Sequence, residues 1–173
     1  MRKAAFLALA IAMAAPVIAK PTVSVGFSPS ASQNAIQLVL STINSARRNI
    51  DVAAYSFTSK PVAAALVAAK NRGVAVRVVA DEKSNTGKYT AVTFLANQGV
   101  PVRLNGRYAI MHNKFMVVDG DTVQTGSFNY SASAVSRNAE NVLLIKGVPE
   151  LATSYRQEFN RLWNEADTLK SRY

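Results

Sequence analysis

The chain has no cysteine, one histidine, and only 10 acidic residues among 173. Each shortage removes a kind of chemistry. Without cysteine there is no disulfide framework, no thiolate nucleophile and no sulfur-ligated metal. With one histidine and few carboxylates, a transition-metal site built by the protein is not expected, so any hydrolysis should run without a metal or other cofactor. The scarcity of acid leaves 20 lysines and arginines largely uncompensated, giving a formal charge of +10 and a pI near 10.2. Such an excess favours polyanions, either nucleic acid or an anionic membrane surface. There is no internal repeat and no low-complexity linker. With 49% hydrophobic and 17% charged residues, the composition is that of one globular domain with a sizeable core.

The N-terminus, MRKAAFLALAIAMAAPVIAKP, has a positive start at Arg2 and Lys3 and an apolar run from Ala4 to Ala15. Small residues follow around Val17-Ile18-Ala19. This pattern reads as a secretory signal over residues 1–19, with cleavage after Ala19 or, alternatively, Ala14. An uncleaved anchor is the competing reading, but the run is short and alanine-rich for a membrane span. A mature chain of residues 20–173 would lose two cations and carry +8. It would be periplasmic or secreted, with no stable membrane anchor.

Along the rest of the chain, short apolar runs alternate with helical patterns. Strands are expected at 22–27, 50–55, 74–80, 100–104 and 141–146. Helices are expected around Ile36–Ile43, after a cap at Thr58 or Ser59, and from about Tyr89 to Asn97. Pro61 fits a first helical turn, and Gly73 and Gly99 act as stops. A last helix carries Leu151, Tyr155, Phe159, Leu162 and Trp163 on one stripe, which reads as core or subunit contact. The alternation predicts an α/β fold: a mixed, largely parallel sheet with helices on both faces.

The only histidine opens the stretch HNKFMVVDGDTVQTGSFN, His112 to Asn129. It reads as a hairpin with strands 113–118 and 122–127. A Gly120-Asp121 loop would be a type II′ turn, setting Lys114 opposite Ser127 and His112 opposite Asn129. An Asp119-Gly120 loop would be type I′, setting His112 opposite Ser127. In both registers even positions pair with odd ones, so His112, Lys114, Ser127 and Asn129 should share a face. Asp119 should point away and act structurally. The cluster is rich in donors and has no acid. Lys, Ser and Asn suit a tetrahedral anion, and imidazole can attack phosphorus or move a proton near neutral pH. A phosphodiester is the natural substrate. The plainer alternative is four polar residues satisfying one another at a strand end.

The pattern His112-x-Lys114-x4-Asp119-x6-Gly126-Ser127-x-Asn129 resembles the HKD motif of the phospholipase D superfamily, with one copy in this chain. The similarity to that family's small bacterial Nuc-type endonucleases extends through AYSFTS (54–59) to SRNAEN (136–141). The resemblance implies a phospholipase D-like fold and a covalent phosphohistidine. One histidine attacks, and a second protonates the leaving oxygen and then activates water. It gives His112 the nucleophile or acid role, Lys114 and Asn129 the phosphate, Ser127 a supporting place, and Gly126 and Asp119 structural places in the motif. It also matches Glu140 to a family glutamate that holds the imidazole, although an ordinary surface charge is the alternative.

A two-histidine reaction in a chain with one histidine implies a homodimer with the site at its twofold axis. The substrate expected is DNA, single- or double-stranded, with RNA as an alternative, cut with little specificity, and the resemblance implies 5′-phosphate products. Lys83, Lys88, Arg103, Arg107 and Arg137 are candidate backbone contacts. The alternatives are a lipid phosphodiesterase of phospholipase D type and a DNA-binding protein without catalysis.

Overall fold

The computed structural model describes residues 20–32, 34–87 and 90–171. The expected signal segment, and Lys88 and Tyr89, lie outside the described residues. The elements in chain order are β1 (Thr22–Ser28), α1 (Asn34–Ser45), β2 (Asn49–Ala54), α2 (Lys60–Asn71), β3 (Ala75–Asp81), α3 (Ala91–Asn97) and β4 (Val102–Asn105). They continue with β5 (Phe115–Val118), β6 (Thr122–Gly126), α4 (Ala132–Ser136), β7 (Glu140–Lys146), α5 (Pro149–Asn164) and β8 (Asp167–Thr168). A 3-10 turn, Lys83–Asn85, follows β3.

Local chemistry places the helix ends. Ser59 caps α2, its Oγ accepting from Val62 N, with Pro61 in the first turn and Gly73 beyond the end at φ +91°. Thr90 caps α3 in the same way, so that helix starts at Ala91, slightly later than its apolar pattern suggested. The short α4 and the two-residue β8 were not foreseen. Neither is long enough to show a period.

The strands form one open mixed sheet in the order β1-β7-β6-β5-β2-β3-β4-β8. The α/β class and the mixed sheet stand as expected, but the expectation of a largely parallel sheet is corrected. Parallel pairing is confined to β2–β3 and β3–β4, and the other neighbours run antiparallel. Parallel neighbours need a crossover helix, and α2 and α3 supply one each. Helix α1 instead carries the chain from the edge strand β1 to β2, four places along the sheet. A strand-helix-strand pattern does not record that difference.

Side-chain alternation splits the core. Ile50, Val52, Ala54, Met116 and Val118 face one layer with α1, α2 and α3. Ala53, Val79, Phe115, Val117 and Val123 face the other, under α5. The α5 stripe from Leu151 to Trp163 belongs to this second cluster, so it is core. No helix among the described residues is long and apolar enough to cross a membrane.

Candidate active site

The motif hairpin has neither of the expected two-residue loops. Pairing runs Phe115↔Thr125, Met116↔Gln124 and Val118↔Thr122, leaving Asp119, Gly120 and Asp121 as a three-residue connection. Asp119 and Gly120 both have positive φ, 53° and 86°, and Asp121 N closes the turn onto Val118 O at 3.3 Å. The extra residue shifts the register halfway between the two expected ones, so even positions pair with even. The expectation that ladder alternation sets the four polar residues on one face is therefore corrected. His112 and Lys114 precede β5, while Ser127 and Asn129 follow β6, so the ladder fixes none of them.

They are gathered instead by the end of the sheet. The C-terminal ends of β1, β2 and β6 and the N-terminal ends of β5 and β7 all lie at one edge, as the registers Ala53↔Phe115, Gly126↔Val142 and Ser28↔Glu140 require. Crevices beyond the carboxyl ends of strands are where α/β sheets bind ligands. Gly126 makes the convergence possible. Its φ is +147°, and an added Cβ would overlap the Asn141 carbonyl oxygen and stand 2.9 Å from Asn141 Oδ1. Only glycine lets β7 approach here.

Lys114 is buried, at 7% exposure, while His112 is exposed. The Lys114 ammonium donates to the His112 carbonyl at 2.6 Å and lies 5.0 Å from the centroid of the Tyr55 ring. That ring meets the His112 imidazole edge-on, 4.5 Å between centroids at 63°. Burial pushes the Lys114 pKa below the ordinary lysine value, and the Glu140 carboxylate opposes that shift. Glu140 is held by Ser127 Oγ, which donates at 2.6 Å, and by Asn138 Nδ2 at 3.0 Å. Ser127 Oγ in turn accepts from Asn141 N at 3.0 Å. Within one chain, then, Glu140 holds Ser127 and supports the charge of Lys114, and its oxygens bond to Ser127 and Asn138. Asn129 Oδ1 is buried without a hydrogen-bond partner, and the neighbouring Tyr130 carbonyl accepts from Thr58 N and Ser59 N.

Asp119 sits at the opposite end of the hairpin. Its carboxylate accepts the backbone amides of Arg47 at 2.9 Å, Arg48 at 2.7 Å and Asn49 at 3.0 Å. The Arg48 guanidinium also bonds to its carbonyl. Of the basic candidates, Lys83 and Arg107 follow β3 and β4 at the site's end of the sheet, and Lys83 Nζ donates to Ala109 O at 3.2 Å. Arg137 is exposed at the end of α4, three residues before Glu140. Arg103 is not brought to the cluster. Its guanidinium lies 4.5 Å from the Trp163 ring centroid and donates to Trp163 O at 2.8 Å, fastening β4 to α5.

Tyr55, Asn138 and Asn141 are the neighbours that the motif spacing missed. All three fall in AYSFTS or SRNAEN, and Tyr55 follows directly on β2, a position that could have marked it. Among the described residues there is no cluster of three or more His, Cys, Asp or Glu able to hold a metal.

Residues 39–163 match the family described as "Cardiolipin synthase, PLD-like domain". The chain belongs to the phospholipase D superfamily, a family of phosphodiesterases. Its structure resembles the phospholipase D family member Nuc from Salmonella typhimurium, with 43% identity and a TM-score of 0.85 over 88% of this chain and all of that one. NucT from Helicobacter pylori shares the fold at 24% identity and a TM-score of 0.78, over 87% of this chain and all of that one. A mitochondrial cardiolipin hydrolase of Xenopus tropicalis is 36% identical over 70% of this chain and 58% of its own length. A phospholipase D of Rickettsia bellii is 34% identical over 82% of this chain and 69% of its own. The chain spans only 54–64% of the length of four cardiolipin hydrolases it matches.

Proposed function

We propose that the protein is a metal-independent, largely nonspecific endonuclease that cleaves DNA through a phosphohistidine on His112. One observation carries the reading: the only imidazole, a buried ammonium and a serine-held carboxylate converge at one sheet end, with donors in excess. His112 of one subunit attacks phosphorus and the P–O3′ bond breaks. The second subunit's copy of this histidine protonates the departing O3′. That base then takes a proton from water, whose oxygen displaces the imidazole and leaves a 5′-phosphate. Lys114 and Asn129 hold nonbridging oxygens, and Ser127 and Glu140 support Lys114.

A second copy is required because the reaction uses two imidazoles and the chain has one. An apolar surface suited to such a partner lies beside the site. Val23, Val25 and Phe27 of the edge strand β1 are more than half exposed, and Leu143 and Ile145 are the cross-strand partners of Val25 and Val23. The charge, the likeness to Nuc over that whole chain, and Lys83, Arg107 and Arg137 around the site favour a nucleic acid. Export to the periplasm or beyond belongs to the same reading and rests on the N-terminal pattern.

A lipid phosphodiesterase is the second reading, favoured by the names of the cardiolipin hydrolases and phospholipases among the relatives. Mature protein incubated with supercoiled plasmid in excess EDTA separates them. Nicking by the wild type, and its loss by roughly 10⁴-fold or more in His112→Ala, is the expected result. Intact plasmid together with phosphatidic acid release from cardiolipin vesicles would establish the lipid reading. Light scattering should give twice the chain mass.

A further inference from the structure

We propose that Tyr55 is a positioning residue for this site: its ring fixes the imidazole of His112 and the ammonium of Lys114 relative to each other. The proposal rests on the catalytic role assigned to His112. Tyr55 lies outside the motif, yet among the described residues it is the one side chain whose ring contacts both groups, His112 at 4.5 Å and the Lys114 ammonium at 5.0 Å. Its own backbone is held from beneath. Asn85, buried in the 3-10 turn after β3, donates Nδ2 to Tyr55 O at 2.6 Å and to Asp81 O at 2.8 Å. Its Oδ1 accepts from Phe57 N at 3.1 Å. The segment after β2 is thus locked at two points to the end of β3.

His112 needs such a wall. It is exposed and stands in a loop before β5, so strand pairing does not restrict its two side-chain torsions. In-line attack requires the nucleophilic nitrogen within a few tenths of an ångström of its place. An aromatic ring meeting the imidazole edge-on removes the rotamers that swing toward β2. The negative face of the same ring attracts the ammonium that Lys114 presents. None of these contacts uses the Tyr55 hydroxyl, so the ring alone should suffice.

The chain's single histidine makes this testable with and without substrate, because one imidazole spin system per chain appears in the NMR spectrum. Tyr55→Phe should keep kcat and KM within about twofold and leave the His112 resonances in place. Tyr55→Leu should lower kcat by roughly ten- to a hundredfold with KM little changed. Its His112 ring protons should move toward their free-imidazole shifts as the ring current is lost. Equal loss in Tyr55→Phe would give the hydroxyl a chemical role and overturn the proposal, as would an unaltered kcat in Tyr55→Leu. If the wild type cleaves no DNA, the nuclease reading fails by itself. The His112 shifts of the two variants then decide: unmoved shifts in Tyr55→Leu overturn the positioning role. Should Tyr55→Leu not fold, Tyr55→Met takes its place.

Discussion

The two ends of the β5–β6 hairpin each hold a carboxylate, in different circumstances. At the turn, Asp119 receives three backbone amides and the pull of Arg48. Burial works to raise its pKa, but those amides and that charge outweigh it, and the carboxyl titrates below the usual aspartate value. At the open end, Glu140 receives one hydroxyl and one side-chain amide, and acts through space on a buried ammonium. Asp119 is occupied in joining the hairpin to the start of β2. The open end keeps donors and an exposed imidazole to spare. A polar cluster can bind and react where its hydrogen-bonding capacity exceeds what the fold consumes.

Substitutions at the two ends should separate these roles. The largest effect is expected from Gly126→Ala, which sets a methyl against the Asn141 carbonyl at a backbone angle unsuited to it. Urea unfolding should show a loss of about 3 kcal/mol or more, with activity lost alongside as β7 and Glu140 are pushed from the site. Retention of both would mean that β7 can shift without disturbing Glu140.

Glu140→Gln should preserve the fold and reduce kcat/KM by roughly ten- to a hundredfold, the range for a supporting partner of a reacting group. Its pH profile gives the sharper reading. Lys114 already loses its proton below the ordinary lysine range because it is buried, and the Glu140 charge partly offsets this. Without that charge, neutral Lys114 is reached at still lower pH. The alkaline limb of kcat/KM should therefore move down the pH scale. A limb that stays in place would show that Glu140 does not act through Lys114.

Asp119→Ala should have the smallest effect on chemistry. Three amides lose a charged acceptor, so stability at neutral pH should fall by about 1–3 kcal/mol, while kcat per folded molecule stays within about twofold. Since the folded-state pKa is depressed, Asp119 contributes stability above its unfolded-state pKa and loses it as pH falls through the folded value. The gap between wild type and variant, followed by thermal melting, should close in acid. A large loss of kcat at full stability would carry Asp119 over to the catalytic side of the comparison.

Much of this architecture could be read along the chain because it is local. The cap at Ser59, the stops at Gly73 and Gly99, and the stripe from Leu151 to Trp163 depend on neighbours a few residues away. The residues of the site were legible for a different reason: phosphodiester chemistry needs particular functional groups, and the HKD pattern displays them in order. The grouping by strand alternation failed because one additional loop residue reverses parity, and side chains beyond the ladder do not obey it.

By itself the sequence determined the residue types of the candidate site, the shortage of acid and cysteine that bounds its chemistry, and the single histidine on which the proposal of a second copy rests. Only the tertiary structure decided that β1 crosses to the far edge, that Arg103 serves packing, and that Tyr55 and Glu140 flank Lys114. Those outcomes depend on contacts between segments tens of residues apart. The packing of whole strands and helices sets such contacts, and no short spacing in the chain encodes it.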